Sequence, residues 1–349
     1  MNKIRDFIRD NQYTSILVAL LIAVLALFSV LKGSAFWQVN LWKGMTMQFP
    51  EYACVALGLM FVFISGHHDM SQVLLGNFGA ILAVQYMASH VVDGMSNGQV
   101  GSIIFTGIGI ALMIAIVGAL INFALVSFLN VPPVMATIAM QMVWKGLSTA
   151  LTKGYAVQGV PSLYTTIGHT YIGGWLAVPV VIFLVLLVIS IFLLKYTTFG
   201  EKLYMIGTNK KAAKFSGINV HGMLATTYLL SALFATIGVL IMVSTMGSAK
   251  ADYGISYTTR AILILVLAGC IPDGGQGKIS NILLSIVTVQ IIATGINLFP
   301  NLNTYYSSLI WGGMLIVVLI MSTQVGSGAP KKAKKVKAKK EPEASQKTA

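Results

Sequence analysis

The chain has 349 residues, of which 56% are hydrophobic and only 9% are charged. Soluble domains carry about 25% charged residues, so this composition and the repeated long apolar runs exclude an ordinary soluble protein. They indicate an all-α, polytopic transmembrane helical bundle. Part of the net charge of +13 lies in a lysine-rich C-terminal end, and the remainder favours a positive cytoplasmic side over nucleic-acid binding.

The apolar runs predict about ten spans, two of them short or broken. A polar, basic N-terminal segment, 1–12, precedes the transmembrane domain at 13–325, and a lysine-rich tail at 326–349 is expected to be disordered. The predicted spans are 13–31, 51–65, 72–92, 103–128, 134–151, 174–194, 224–246, 261–271, 279–298 and 307–323.

The longest polar interruption, residues 196–222, is the centre of the predicted organisation. Ten spans place it in the cytoplasm together with both termini, which agrees with the lysines and arginines in all three segments. Within it, residues 209–215 read as a short helix that Asn209 caps and Ser216-Gly217 ends. On composition alone, the simpler interpretation is a basic loop that only fixes the topology.

Two glycine-rich breaks, 66–71 and 269–277, interrupt apolar runs, and each carries an acid, Asp69 or Asp273. Unwound segments within spans often line the substrate path of a transporter, and ionisable residues at membrane depth are functional candidates. The alternative is that both breaks are turns at the membrane surface with solvated acids.

Neither a metal site nor a catalytic site is predicted. The adjacent side chains of His67, His68 and Asp69 diverge on a helix, so they converge on a metal only with an irregular backbone. The sequence GxxxxGK[ST] is absent, so this chain is not expected to bind ATP through a phosphate-binding loop.

The segment 196–222 resembles the cytoplasmic coupling segment of the ribose/galactose-type ABC importer permeases, a group within the branched-chain amino acid and monosaccharide permease superfamily. The family pattern T-x-F-G, then G-x-N-x-x-A-A-x-x-S-G-I, is matched at fixed spacing. Three further blocks extend the resemblance over about 50–323. The matching residues are Thr197, Phe199, Gly200, Gly207, Asn209, Ala212, Ala213, Ser216, Gly217 and Ile218; Ser248, Ala249, Gly254, Tyr257, Ala261 and Ile262; Gly66, Asp69 and Ser71; and Gly269, Gly274, Gly275 and Gly277.

The sequence departs from the family pattern along the expected substrate path. After Tyr257 the family has Glu-Leu-Asp, whereas this chain has Thr258-Thr259-Arg260, so two acids are lost and a cation is gained. His67 also replaces a glycine of the third block. These changes leave the coupling segment intact and alter the expected path.

The resemblance implies a role for two sets of residues. The first set would couple this chain to an ATPase, with Phe215 contributing an apolar contact; the second would line the translocation path. The coupling set is Gly207, Asn209, Ala212, Ala213, Phe215, Ser216 and Gly217; the path set is Gly66, His67, His68, Asp69, Ser71, Tyr257, Arg260, Gly269, Asp273, Gly274 and Gly275.

The resemblance further implies a permease subunit in the cell membrane that moves a monosaccharide or sugar-like solute inward. ATP would bind to separate ABC ATPase subunits, an extracytoplasmic binding protein would deliver the solute, and a second permease subunit, identical or different, would complete the path. Two alternatives remain: an autonomous secondary transporter or channel, and an intramembrane enzyme that uses His67, His68 and Asp69.

Overall fold

The structure, a computed structural model, describes residues 12–299 and 304–327. The predicted N-terminal segment before residue 12 and almost all of the predicted tail lie outside these residues. The described chain is helical apart from short connections and one small hairpin, in which β1, Tyr171–Ile172, pairs antiparallel with β2, Leu176–Ala177.

The helices follow one another in chain order, and several have ends that the local sequence explains. Ser96 and Gln99 form a capping box at the start of one long helix, and Gly247 ends another with a positive φ of 66°. The helices are α1 Gln12–Lys32, α2 Val39–Ile64, α3 Gln72–His90, α4 Asn97–Ser127, α5 Pro133–Thr152, α6 Ser162–His169, α7 Val178–Lys195, α8 Thr198–Thr208, α9 Lys210–Phe215, α10 Val220–Met246, α11 Ile255–Leu267, α12 Ile279–Asn297 and α13 Thr304–Ser327.

The chain is an all-α membrane protein. In the described part of the chain, six helices are long and apolar enough to cross a membrane: α1 with the turn after it, α2, α4, α7, α10 and α12. Helices also occupy the other four predicted positions, but α11 and the apolar part of α13 are shorter, and α3 and α5 are not among the six. The predicted count of about ten spans is therefore not confirmed.

The structure corrects the predicted second span. Residues 51–65 were expected to form a short span, yet α2 begins at Val39 and has 26 residues. Pro50 lies inside this helix. A proline inside a helix loses one backbone hydrogen bond and its ring crowds the preceding turn, yet α2 continues through Pro50. The other span predicted to be short, α11, has 13 residues.

Two helices were not predicted. Helix α8 fills the first half of the polar segment, and it buries Gly200, Leu203 and Ile206 on one side. Helix α6 lies in the long connection before α7 and is only eight residues long. Both are short and only moderately apolar, so neither stands out in a search for membrane spans.

Helix α10 is at the centre of the bundle, where it packs against α2, α3 and α4. Glycines allow the closest of these approaches. A side chain at Gly58 would come within 2.7 Å of the Ser231 carbonyl, and one at Gly238 would overlap the Glu51 carbonyl. Small residues at helix crossings let backbones approach in lipid, where apolar burial drives little association. The α2–α10 contact thus depends on the absence of side chains.

We expect Gly238→Ala to lower the thermal unfolding midpoint of the purified protein in detergent by several degrees. The added methyl group must displace α2, and overpacking of this kind costs about 1–3 kcal/mol. Gly109→Ala is the matched control, because nothing lies within 4 Å of the added carbon, and alanine favours the helix. Equal midpoints for the two variants would contradict this packing argument.

Candidate functional site

The two predicted breaks meet each other in the structure. The backbone N–H of Gly275 donates to the carbonyl of Ile64 at 2.8 Å, and a side chain at Gly274 would come within 2.5 Å of the Gly66 nitrogen. Gly66, Gly274 and Gly275 have φ values of +75°, +89° and +73°, a region that glycine adopts without strain. The end of α2 is thus joined to the α11–α12 connection by backbone contact.

Gly207, at the end of α8, completes this contact. A side chain on it would overlap both the Ile64 carbonyl and the Gly275 nitrogen. Its φ is not positive, so space rather than backbone conformation requires glycine here. We call Ile64, Gly66, Gly207, Gly274 and Gly275 the glycine joint.

The Tyr204 side chain holds α8 to the α11–α12 connection. The Tyr204 hydroxyl donates to the Gly277 carbonyl at 2.7 Å. Burial raises the pKa of Tyr204 to about 12, so the hydroxyl stays protonated and keeps donating at neutral pH. Helix α8 is therefore fixed to the break by a hydrogen bond as well as by close packing.

Helix α9 confirms the predicted short helix. The Asn209 side chain accepts from the Ala212 N–H at 3.0 Å, as an N-cap does. At the other end Gly217 has a φ of +78°, and the Ile218 N–H donates to the Ala213 carbonyl at 3.1 Å. This pattern is a Schellman ending.

The two sides of α9 differ sharply. Ala213 is buried against Ile206, Val220 and Leu224. Phe215 is 94% exposed. The resemblance placed Ala213 on the coupling surface, but here it faces the chain's own core because it lies on the opposite side of the helix. The other exposed residues between 209 and 217 are Asn209, Lys210, Lys211, Ala212, Lys214, Ser216 and Gly217.

Asp69 is fully buried in a hydrogen-bond network among α3, α4 and α10. It accepts from the backbone N–H of Ser71 at 3.1 Å and from its hydroxyl at 2.9 Å. The Ser231 hydroxyl lies 3.3 Å from its other oxygen and 2.7 Å from the side-chain oxygen of Gln72, and it donates its one proton between them; Asn122 approaches at 3.5 Å. With several donors around it, the carboxylate can be buried at lower cost, and it ties three helices together.

The neighbouring histidines point to other partners. The His67 ring contacts the Ser65 carbonyl at 2.9 Å, and His68 lies against the Phe63 ring with centroids 4.7 Å apart. Burial lowers the pKa of His67 to about 4 and also lowers that of His68. The three residues therefore do not converge on one point. Among residues 12–299 and 304–327, no group of three metal-binding side chains comes together.

The other path residues divide between two places. Gly269 ends α11 with a φ of +81°. Asp273 is exposed, and its carbonyl faces Gly66. Tyr257 and Arg260 lie elsewhere, in the wall of a cavity of about 340 Å³. Its lining also includes Gln48, Glu51, Tyr52, His169, Thr245, Gln290, Asn297 and Trp311.

Glu51 anchors the polar side of this cavity. The Thr245 hydroxyl donates to one of its carboxylate oxygens at 2.6 Å, and the Tyr257 hydroxyl donates to the other. Beside it, the Tyr52 hydroxyl donates to the side-chain oxygen of Gln290. These bonds connect α2 with α10, α11 and α12 around the cavity.

Arg260 projects from α11 among aromatic rings. Its guanidinium carbon is 4.7 Å from the centre of the Trp311 ring, 5.7 Å from that of Tyr257 and 5.8 Å from that of Tyr52. Such distances allow cation–π attraction, which strengthens when the cation is desolvated. The arginine gained relative to the family pattern is therefore held in place by the aromatic wall.

Four residues of this cavity were not predicted from the sequence: Glu51, Tyr52, Thr245 and Gln290. Glu51 was taken as the start of a span, although an acid inside an apolar helix is itself a signal of function. The earlier start of α2 at Val39 places Glu51 well inside the helix. Tyr52, Thr245 and Gln290 are ordinary helix residues, and no pattern in the sequence singles them out.

Comparison with known proteins identifies the family. A family model described as the permease component of branched-chain amino acid transport systems matches residues 41–319. The autoinducer 2 import system permease protein LsrD of Yersinia enterocolitica is 29% identical over 87% of this chain and 89% of its own length. The ribose import permease protein RbsC of Bacillus subtilis is 29% identical over 86% of this chain and 90% of its own length.

A further relative gives a consistent result. The LsrD protein of Klebsiella pneumoniae is 28% identical over 88% of this chain and 90% of its own length. No solved structure matches the chain. The motif resemblance drawn from the sequence is confirmed. The chain belongs to the family of branched-chain amino acid transport system permease components, and it is a membrane transport subunit rather than an enzyme.

Proposed function

We propose that this chain is the permease subunit of an ABC importer that moves a monosaccharide or sugar-like polar solute into the cell. Its relatives are named as import permeases for autoinducer 2 and for ribose. The observation that carries the proposal is the two-sided helix α9, exposed at Phe215 and buried at Ala213. This short, capped helix follows α8, which reaches the glycine joint.

The proposed arrangement has ten spans in the inner, or plasma, membrane. Helices α3, α5, α11 and α13 supply the four spans beyond the six apolar ones. Lys210, Lys211 and Lys214 on α9 favour a cytoplasmic position, which puts both termini on the same side. The partners are cytoplasmic ATPase subunits that bind ATP, an extracytoplasmic binding protein, and a second permease subunit, either identical or different.

Movement of the ATPase would reach the membrane domain through backbone contacts. A partner that presses on Phe215 moves α9, whose buried Ala213 rests against Ile206 of α8 and against α10. Helix α8 then pushes on Ile64 and Gly275 through Gly207. Direct backbone contact leaves no flexible side chain to absorb the displacement, and packed elements shift as units.

The path residues take two roles in this proposal. Tyr257 and Arg260 face the solute in the cavity, and the residues of the two breaks form a gate near the cytoplasmic end. Glu51 is 13 residues before Ile64 on the same helix, which corresponds to about 20 Å along its axis. Helix α2 therefore connects the gate with the cavity.

We expect Phe215→Ala to weaken binding of the ATPase roughly thirty-fold or more, since exposed aromatic anchors are typical interface hot spots worth about 2 kcal/mol. Binding would be measured with the purified permease and the ATPase of the same importer, and uptake would be measured in cells. Phe105→Ala is the matched control, because Phe105 is also highly exposed, at 78%, but on α4.

Two results would contradict the proposal. One is unchanged ATPase binding and uptake with Phe215→Ala. The other is solute flux that follows an ion gradient in liposomes containing this chain alone, which would support an autonomous transporter instead.

We expect Gly207→Ala to separate docking from transport. The surface of α9 is unchanged, so ATPase binding persists, whereas the added methyl group pushes α8 away from Ile64 and Gly275 and uptake falls at least ten-fold. Gly146→Ala is the control, because it is helical and exposed with nothing within 4 Å. Full uptake by Gly207→Ala would show that the joint does not carry the movement.

A further inference from the structure

Two opposite charges line the cavity without pairing with each other. Glu51 on α2 and Arg260 on α11 both contribute to its wall. Among the residues that the structure describes, an ion pair joins Lys250 and Asp252 at 3.1 Å, and none joins Glu51 and Arg260. Charged groups away from water are normally paired, so both groups have capacity left for a molecule between them.

The carboxylate of Glu51 is only partly occupied. Each of its oxygens accepts one hydrogen bond, from Thr245 and from Tyr257. An ionised carboxylate offers about four acceptor positions. Glu51 can therefore accept further O–H or N–H groups from a ligand while its present bonds hold it in place.

The guanidinium of Arg260 is the donor in this cavity. Its Nε is buried and has no hydrogen-bond partner in the described part of the chain. No hydrogen bond from its two terminal nitrogens to a described residue is found either, and these atoms are not among the buried ones without a partner. A ligand in the cavity can reach them. The rings of Tyr52, Tyr257 and Trp311 hold the planar group.

The pairing of an acceptor and a donor decides which ligands fit. A simple anion would face the Glu51 carboxylate and a simple cation would face Arg260, and such repulsion is strong in a medium of low dielectric constant. A zwitterion would satisfy both charges, and it is the alternative that the L-leucine probe tests. Hydroxyl groups both donate and accept. Several hydroxyls on adjacent carbons satisfy Glu51 and Arg260 together and also reach Gln48 and Asn297 in the wall.

We propose that this cavity is a binding site for an uncharged, polyhydroxylated solute within a single permease subunit, with Glu51 accepting from its hydroxyls and Arg260 donating to them. The proposal rests on the proposed import function and assigns its selectivity to these two residues. The volume of about 340 Å³ falls within the usual range for small-molecule sites, about 300–1,000 Å³.

The test uses the purified full chain in detergent without any ATPase. Thermal unfolding is recorded with 100 mM D-ribose, D-galactose or erythritol as neutral probes, D-ribonate as the anion and L-leucine as the zwitterion. We expect at least one neutral probe to raise the midpoint by about 3 °C or more, because a ligand that binds only the folded state stabilises it. D-ribonate and L-leucine should leave it unchanged.

Three variants locate the effect. Arg260→Gln and Glu51→Gln should abolish the shift, and Tyr257→Phe, which frees one carboxylate oxygen while keeping the ring, should change its size. Lys250→Gln is the control, since it removes a charge outside the cavity, and it should shift like the unmodified protein. If Glu51→Gln does not fold, Arg260→Gln alone still tests the assignment.

Several results would overturn the assignment. They are a shift with none of the neutral probes, a shift with D-ribonate or L-leucine alone, and a shift that persists in Arg260→Gln. Because no ATPase is present, these results leave the docking role of α9 to its own experiment. Loss of ATPase binding in Phe215→Ala with no sugar-dependent shift would keep the importer function and reject this site.

Discussion

The structure depends on the contact of bare backbone at the glycine joint. Ile64, at the end of α2, accepts a hydrogen bond from Gly275, and Gly207 lies against both. Side chains at these glycines would force the three segments apart. Because these backbones touch, three parts of the chain form one rigid unit: the end of α2, the α11–α12 connection and the polar segment. The two unwound breaks therefore have a structural role whatever they do for the solute.

Helix α2 connects the glycine joint with the cavity. It is buried along most of its length, and glycine-mediated packing against α10 fixes its position. One end belongs to the joint, and Glu51 lies near its middle in the cavity wall. Because a helix resists compression along its axis, displacement of Ile64 changes the position of Glu51 relative to Arg260 on α11. In the proposed importer, this is how a cytoplasmic motor would alter solute binding.

Polar groups in the interior serve different purposes in different places. Asp69 is surrounded by donors from its own chain: Ser71 at the start of α3, Asn122 of α4 and Ser231 of α10. Glu51 and Arg260 keep unused hydrogen-bonding capacity and face an open volume. An acid with its bonds filled holds helices in place, whereas an acid and a base with unfilled bonds around a cavity can recognise a ligand.

The sequence by itself determined the membrane class, the family and the short capped helix at 209–215, because apolar runs, fixed motif spacings and the Asn209 cap are local properties. Only the tertiary structure decided which groups meet. Glu51 and Tyr257 are 206 residues apart in the chain, and Ala213 faces inward while Phe215 faces outward because of how α9 packs on α8 and α10. Such contacts depend on the arrangement of whole helices, which no local pattern encodes.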